Sequence, residues 1–446
     1  MKDLIKQKVI DYTPELLKYL DELVSYPSVF SDDALPFGQA NIDCLNHALE
    51  IGSNLGFKAV NVDNYAGYIE IGQGDEVIGI VGHLDVVPVS DTWKTDPFKM
   101  TLIDGKYYGR GTSDDKGGVL CGLIAMKIVN ELVPDMKKRI RLIMGCNEES
   151  GSACLRYYVK KCGAVDCGFT PDGSFPIVFG EKGMVGATLK APTTKILDVR
   201  GGTARNAVCA SVTIELPANS FDQSVLYDYL DENGLDHQIT KGDTWKLRVF
   251  GRAAHASTPE EGLNAISYTM EGLYRAGIDD EFVNTYHQLV GTGYYGEKAG
   301  VDFSDNYGRL TFNIGVIKKV DDTVETSIDI RFPVTMKKEP VIEALQKNGK
   351  GNIINIGGVD PLFFPLEHPM IKAMLKAYYD VTDSQYEPLT MGGGTYARTM
   401  PNIVAFGCDT LEYNWHIHDD NEFVTLKSLQ TQTEVYANAL LNLLEI

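Results

Sequence analysis

Four short stretches of this chain, His83-Leu84-Asp85, Asp114-Asp115, Glu148-Glu149 and His418-Asp419-Asp420-Asn421-Glu422, gather carboxylates or imidazoles, with Asp172 as an isolated fifth candidate, and three of the four adjoin an apolar strand-like run or a glycine-rich turn. Oxygen and imidazole donors in this mixture suit divalent ions such as zinc, manganese or cobalt. A carboxylate can bridge two cations through its two oxygens. Adjacent acids such as Glu148 and Glu149 allow one to bind metal while the other carries a proton. His83 would present its imidazole, with Asp85 holding the second ring nitrogen in the right tautomer. Each stretch also has a plainer explanation when taken alone. His83 could be a satisfied core histidine, Asp114 a helix cap, Glu148-Glu149 a solvated loop pair, and Asp172-Gly173 a turn. Several such stretches at segment ends point instead to one site gathered by the fold. Spacing alone makes His416 as good a ligand as His418, whereas His47, His237, His287 and His368 lack an acidic or glycine-rich setting.

These groups need elements that aim them. Glu76–Gly82 (EVIGIVG) reads as a strand covered on both faces, and it delivers His83 at its carboxyl end, where open α/β sheets build sites. Gly109–Gly118 (GRGTSDDKGG) is a glycine-rich turn feeding a helix that starts near Lys116 and stops before Pro134. A strand over Arg139–Cys146 runs into the two glutamates, and a strand over Cys167–Thr170 precedes Asp172. The pattern predicts further helices from Thr13-Pro14-Glu15 to about Tyr26, from Gln39 to Leu55, over Ala153–Cys162, near Pro369–Val381 and from Thr425 to Leu444. Alternating strands and helices at this spacing indicate an α/β layered domain.

Between Met184 and about Asp360 the strands alternate apolar and polar residues more cleanly, as in ASVTIEL and TSIDIR, so each sheet there has one exposed face. Helices are expected at Phe221–Asn233, Gly262–Ala276 and Glu339–Asn348. We therefore read residues 1–182 plus 361–446 as one discontinuous α/β domain. Residues 183–360 form an inserted α+β domain, built on one open sheet or two, with hinges near 180–184 and 358–363.

The composition narrows the functional classes. The 446 residues carry 41 Lys+Arg against 61 Asp+Glu, a net charge of −20, which argues against nucleic acid or an anionic membrane as partner. No apolar run is long enough to span a bilayer, and no secretory signal is visible. None of the eight cysteines makes a CxxC pair. Buried reduced thiols in a cytoplasmic protein are the expectation.

Taken in order, strand-HLDVVP, GRGTSDDKGG, NEESG, TPDG and HDDNE resemble the M20 family of dinuclear zinc peptidases and amidases, and within it the PepV-like dipeptidases. The resemblance extends over essentially the whole chain, the inserted segment included. It implies two divalent ions, zinc first, with manganese or cobalt as alternatives. His83 and Asp172 would hold one and Glu149 and His418 the other, with Asp114 bridging and Asp115 at a variable place. It further implies a cis bond after the bridging Asp, Glu148 as general base and Asp85 as the orienting acid. In the insert, Gly251–Ser257 (GRAAHAS) resembles a lid motif whose His255 would stabilise an oxyanion. Asn206 falls in a substrate-contacting place. Arg331, in DIRFP, would take the substrate's carboxylate, beside Gly393, Gly394 and Thr395 of the loop GGGTYAR. A doubled lid implies a monomer. Two departures stand out: Asn147 replaces the family's usual Asp before the paired acids, and Asp172-Gly173-Ser174 replaces Asp-Ala-Glu.

Hydrolysis fits this chemistry. A bridging water acidified by two ions would lose its proton to Glu148, which would deliver it to the departing amine. A carboxylate held at a set distance from the metals favours dipeptides. An amidase removing an acyl group from an amino acid needs the same metals and is the nearest rival. A non-catalytic binder would have no need of Glu148 beside Glu149.

Overall fold

The apolar run expected to lie between two covering layers does so: Val77–His83 is buried along its whole length. The computed structural model, which describes residues 2–407 and 414–446, divides the chain into two units. Unit 1 comprises Met1–Gly180, Phe364–Leu389 and Gly394–Ile446; unit 2 comprises Glu181–Phe363 and Thr390–Gly393. The first boundary therefore falls two residues before the expected 182, and four residues of the glycine loop region belong with the insert.

In unit 1 the sheet runs in the order Lys58–Val62, Ala66–Gly72, Arg139–Gly145, Val77–His83, Cys167–Thr170, Ile403–Ala405. The two outer pairings, from Lys58–Val62 through Ala66–Gly72 to Arg139–Gly145, are antiparallel, whereas Val77–His83 lies parallel to both its neighbours. Parallel pairing aims the carboxyl ends of adjacent strands the same way. His83, the turn after Gly145 and the turn after Thr170 consequently emerge on one edge. The helix Lys116–Leu132 is buried on nearly every face because it packs against the sheet and against the helices Lys2–Val24 and Leu426–Leu444.

The N-terminal helix departs from its expected start. It spans Lys2–Val24 with Pro14 inside it, and Thr13 Oγ1 donates back to the Val9 carbonyl at 2.8 Å instead of capping a new helix. Ile5, Val9, Leu16, Leu20 and Leu23 form one buried stripe through that point. Burial of this stripe outweighs the bond that proline removes. Among the remaining elements, the sequence pattern passed over the helix Glu281–Leu289.

Lys116 fastens two of these layers. Fully buried, its Nζ donates to the carbonyls of Leu23 and Tyr26, each at 2.9 Å, at the end of the first helix. A cation is well placed there, against helix carbonyls that lack intrahelical partners. We expect Lys116→Met to lower unfolding stability by about 1–3 kcal/mol, the cost of stranding buried acceptors. An unchanged urea midpoint would show that these carbonyls find other donors.

Unit 2 is built on one eight-stranded antiparallel sheet ordered Asp236–Lys241, Thr244–Phe250, Ser211–Pro217, Asp198–Gly201, Thr311–Val320, Thr323–Phe332, Gly183–Pro192, Ile353–Val359. Strict burial alternation in Gly183–Pro192 and Ser211–Pro217 gives the sheet one core face. Helices over Gln223–Glu232, Ala265–Arg275, Glu281–Leu289 and Lys338–Gly349 supply the other half of that core. The expectation of one sheet or two resolves to one large sheet, with a short Ser304–Asp305/Gly308–Arg309 hairpin beside it.

Of the cysteines, Cys44, Cys121, Cys146, Cys154 and Cys209 are buried free thiols, Cys167 is partly covered, and Cys162 is exposed at a helix end. Cys408 lies outside the described residues. Among the described residues no helix is long and apolar enough to cross a membrane.

Candidate active site

The five expected ligand positions all belong to unit 1; strand ends of its sheet carry His83 and the turns of Glu149 and Asp172, while Asp114 precedes the helix Lys116–Leu132 and His418 the strand Phe423–Thr425. His83 ends its strand buried. Its Nε2 lies 3.0 Å from Asp114 Oδ1, while the other oxygen, Asp114 Oδ2, lies 3.0 Å from His418 Nε2. His418 Nε2 also sits 3.1 Å from Glu149 Oε2. On the other side, donor atoms of His83, Glu148 and Asp172 fall within 4.8 Å of one another, as do those of His83, Asp114 and Glu149. Asp114 thus stands between two imidazoles with one oxygen turned to each. This is the geometry a carboxylate needs to span two cations.

The donor chemistry fits divalent ions. Hydrogen bonds to Asp114 and Glu149 push the His418 imidazole up to about 11. Burial and the charge of Asp172 push Glu148 up to about 9. Asp114 is held below the usual carboxylate range because contacts to His418 and His83 outweigh its burial. The Glu148 shift reflects burial and a neighbouring acid, a repulsion that a cation would relieve, whereas the Asp114 and His418 shifts reflect their contact with each other. Carboxylate and imidazole ligands accept zinc, manganese or cobalt.

Aiming these side chains falls to a set of hydrogen bonds. The Nδ1 of His83 meets the backbone carbonyl of Asp85 at 2.9 Å, nearer than the Asp85 carboxylate at 3.6 Å. The expectation that this carboxylate orients the ring therefore needs revision. Its oxygens instead accept the amides of Glu148 at 3.0 Å and Glu149 at 3.1 Å. Asp85 is buried and pins the two acids at their backbone, so its main chain and side chain serve different segments. Asn147, the departure from the family pattern, ties the same turn together. Its Nδ2 donates to Ser150 Oγ at 2.7 Å and its Oδ1 accepts the Ala153 amide at 3.0 Å.

The Asp114–Asp115 bond is cis. Asp115 Oδ2 accepts the His83 amide at 3.2 Å. Its carboxylate lies where a Cβ on Gly82 or Gly118 would fall, which explains glycine at both places. Between the two candidate histidines of the last stretch the structure discriminates clearly. The His416 ring packs beside Phe423 at 6.2 Å, and His418 faces the acids.

Two contributors had no assigned role in the sequence reading. Glu422 is fully buried and accepts Arg110 Nη1 at 2.8 Å, Ser113 N at 2.8 Å, and the amides of Gly111 and Asp114 at 3.1 Å each. One carboxylate therefore gathers the turn that carries Asp114. Tyr396 is buried with its ring edge-on to His83 at 6.1 Å and its hydroxyl 2.9 Å from Cys154 Sγ. Glu422 adjoined the ligand stretch and Tyr396 lay in GGGTYAR, but neither spacing revealed its partner.

The remaining expected residues are placed as follows. In unit 2, the Asn206 carbonyl accepts the Ala256 amide at 3.0 Å and Ala207 pairs with His255, so the two lid motifs are neighbours. Arg331 forms a bidentate pair with Asp329 at 2.7 and 3.2 Å and donates through Nη1 to the Gly392 carbonyl at 3.0 Å. Gly393 belongs to unit 2, whereas Gly394 and Thr395 belong to unit 1. Thr395 is buried, and its oxygen caps the turn over Tyr396–Arg398 by accepting the Ala397 amide at 3.1 Å.

Comparison with known proteins places this geometry in context. The family model "Peptidase family M20/M25/M40" matches residues 79–442. A Staphylococcus haemolyticus protein described as "Putative dipeptidase SH1171" is 32% identical over 463 residues, covering 98% of this chain and 99% of the relative. The similarly described YtjP of Bacillus subtilis is 32% identical over 459 residues, covering 98% and 97%. Among solved structures, human carnosine dipeptidase 1 shares the fold with a TM-score of 0.60 at 17% identity, over 100% of this chain and 99% of that one.

Proposed function

This chain belongs to peptidase family M20/M25/M40 and is a hydrolase, and on that footing we propose that it cleaves the single peptide bond of dipeptides. The observation that carries the reading is Asp114, with one oxygen toward His83 and the other toward His418. In this reading His83 and Asp172 would hold one divalent ion and Glu149 and His418 the second, with Asp114 placed to serve both. Unit 1 is the catalytic domain and unit 2 the lid. Bound ions supply Lewis acidity, which makes hydroxide available near neutral pH and polarises the scissile carbonyl.

The chain's own residues perform the rest. Glu148, held by its amide on Asp85, accepts a proton from the attacking water and returns it to the leaving amine. Its burial and the charge of Asp172 favour the protonated form. His255 donates to the developing oxyanion, and Asn206 contacts the substrate. Because Arg331 is already paired with Asp329, its part is to fix the Gly392 carbonyl and the loop leading to Gly393, Gly394 and Thr395. That loop, with the guanidinium behind it, receives the substrate carboxylate. The reading includes a cytoplasmic monomer. The buried free thiols support a reducing compartment.

The deciding experiment is a substrate panel on metal-analysed protein. We expect turnover of dipeptides, little of tripeptides and none of N-acyl amino acids, with about two equivalents of divalent metal per chain. Chelation should abolish activity, and light scattering on the same preparation should read a monomer. Preference for N-acyl amino acids would replace this reading with the amidase.

A further inference from the structure

The proposed oxyanion role of His255 requires a proton on the ring nitrogen that faces the substrate, and the structure contains a device that sets where that proton sits. His255 Nδ1 accepts the backbone amide of Ser257 at 3.3 Å and lies 2.7 Å from Ser257 Oγ. An amide N–H can only donate, so Nδ1 must be the acceptor and the neutral ring carries its proton on Nε2. The hydroxyl of Ser257, free to rotate, donates to the same nitrogen.

The backbone beneath this pair is fixed. Ala256, between the two residues, is fully buried; its amide donates to the Asn206 carbonyl at 3.0 Å and its carbonyl accepts Thr311 Oγ1 at 3.2 Å. The Thr258 amide closes the turn on the His255 carbonyl at 3.1 Å. Ser257 is also where the glycine loop touches this turn. A Cβ on Gly392 would collide with the Ser257 side chain, and the Gly392 carbonyl is the one that Arg331 holds. The exposed imidazole is therefore steered from behind by a serine packed under the segment that the carboxylate loop begins.

We propose that Ser257 is a positioning residue that locks His255 as the Nε2–H tautomer, making it a hydrogen-bond donor toward the reacting carbonyl. The inference rests on the oxyanion reading for its catalytic meaning but not for its geometry. The test combines kinetics with nitrogen-15 spectra of histidine-labelled, metal-loaded protein, the His255 signals being identified by their loss in His255→Ala. Wild type should show a protonated Nε2 and an unprotonated, hydrogen-bonded Nδ1. In Ser257→Ala the two shifts should move toward tautomer averaging, with kcat down about tenfold or more and KM little changed; Ser257→Thr should restore both. His255→Ala should cost about 10²–10³-fold in kcat, as loss of one oxyanion donor does. Unaltered His255 shifts in Ser257→Ala would overturn the inference, whatever the rate. Altered shifts with an unaltered rate in both Ser257→Ala and His255→Ala would uphold the tautomer lock and sink the oxyanion role instead.

Discussion

Glu148→Gln should leave the protein folded and metal-loaded while lowering kcat by about 10²–10⁴-fold, the range that removal of a general base produces. Glutamine preserves the shape of the side chain, and the anchor that places it is its backbone amide on Asp85, which the substitution does not touch. Glu149, whose carboxylate meets His418, stays in place. The same position has a competing assignment, because a Glu148 oxygen comes within 4.8 Å of donor atoms on His83 and Asp172 and could itself hold an ion. Elemental analysis separates the two. Retained metal with lost turnover identifies the proton carrier, metal lost along with turnover identifies a ligand, and full activity removes Glu148 from the reaction.

Glu422→Ala has the largest expected effect on the protein itself. Removing this carboxylate leaves the buried Arg110 guanidinium without its partner and strips the acceptor from the amides of Gly111, Ser113 and Asp114. Breaking a buried ion pair from one side costs about 3–5 kcal/mol, and the unsatisfied amides add to it. The turn should loosen where it presents Asp114, so metal content should fall even in protein that remains folded. Urea unfolding and chelator competition measure the two effects. Glu422→Gln keeps an acceptor and should fall between the parent and the alanine variant. Equal stability and equal metal retention in Glu422→Ala would show that the turn holds its shape unaided.

The acid and imidazole stretches that the fold gathers stood out in sequence because most of them follow a local pattern, an apolar strand or a glycine turn ending in acids or imidazole. The inserted segment was legible for a similar reason, since the change from continuous to alternating hydrophobicity marks the passage from a sheet covered on both faces to one covered on one. The N-terminal helix misled where a local signal competed with burial. Thr13-Pro14-Glu15 has the composition of a helix start, and the stripe from Ile5 to Leu23 carried the helix through it.

Residue type and spacing by themselves determined the chemistry on offer and which turns would carry the acids, while the family was reached through resemblance to known motifs. Tertiary structure alone decided which atom of each residue serves which partner. The carbonyl of Asp85 orients His83 while its carboxylate binds the Glu148–Glu149 amides, His418 turns inward where His416 packs on Phe423, and Arg331 is spoken for by Asp329. Glu422 reaches a turn some 308 positions earlier in the chain. Hydrogen bonds of this kind join atoms that the chain path brings together only after strands and helices have packed, so no neighbouring residue records them.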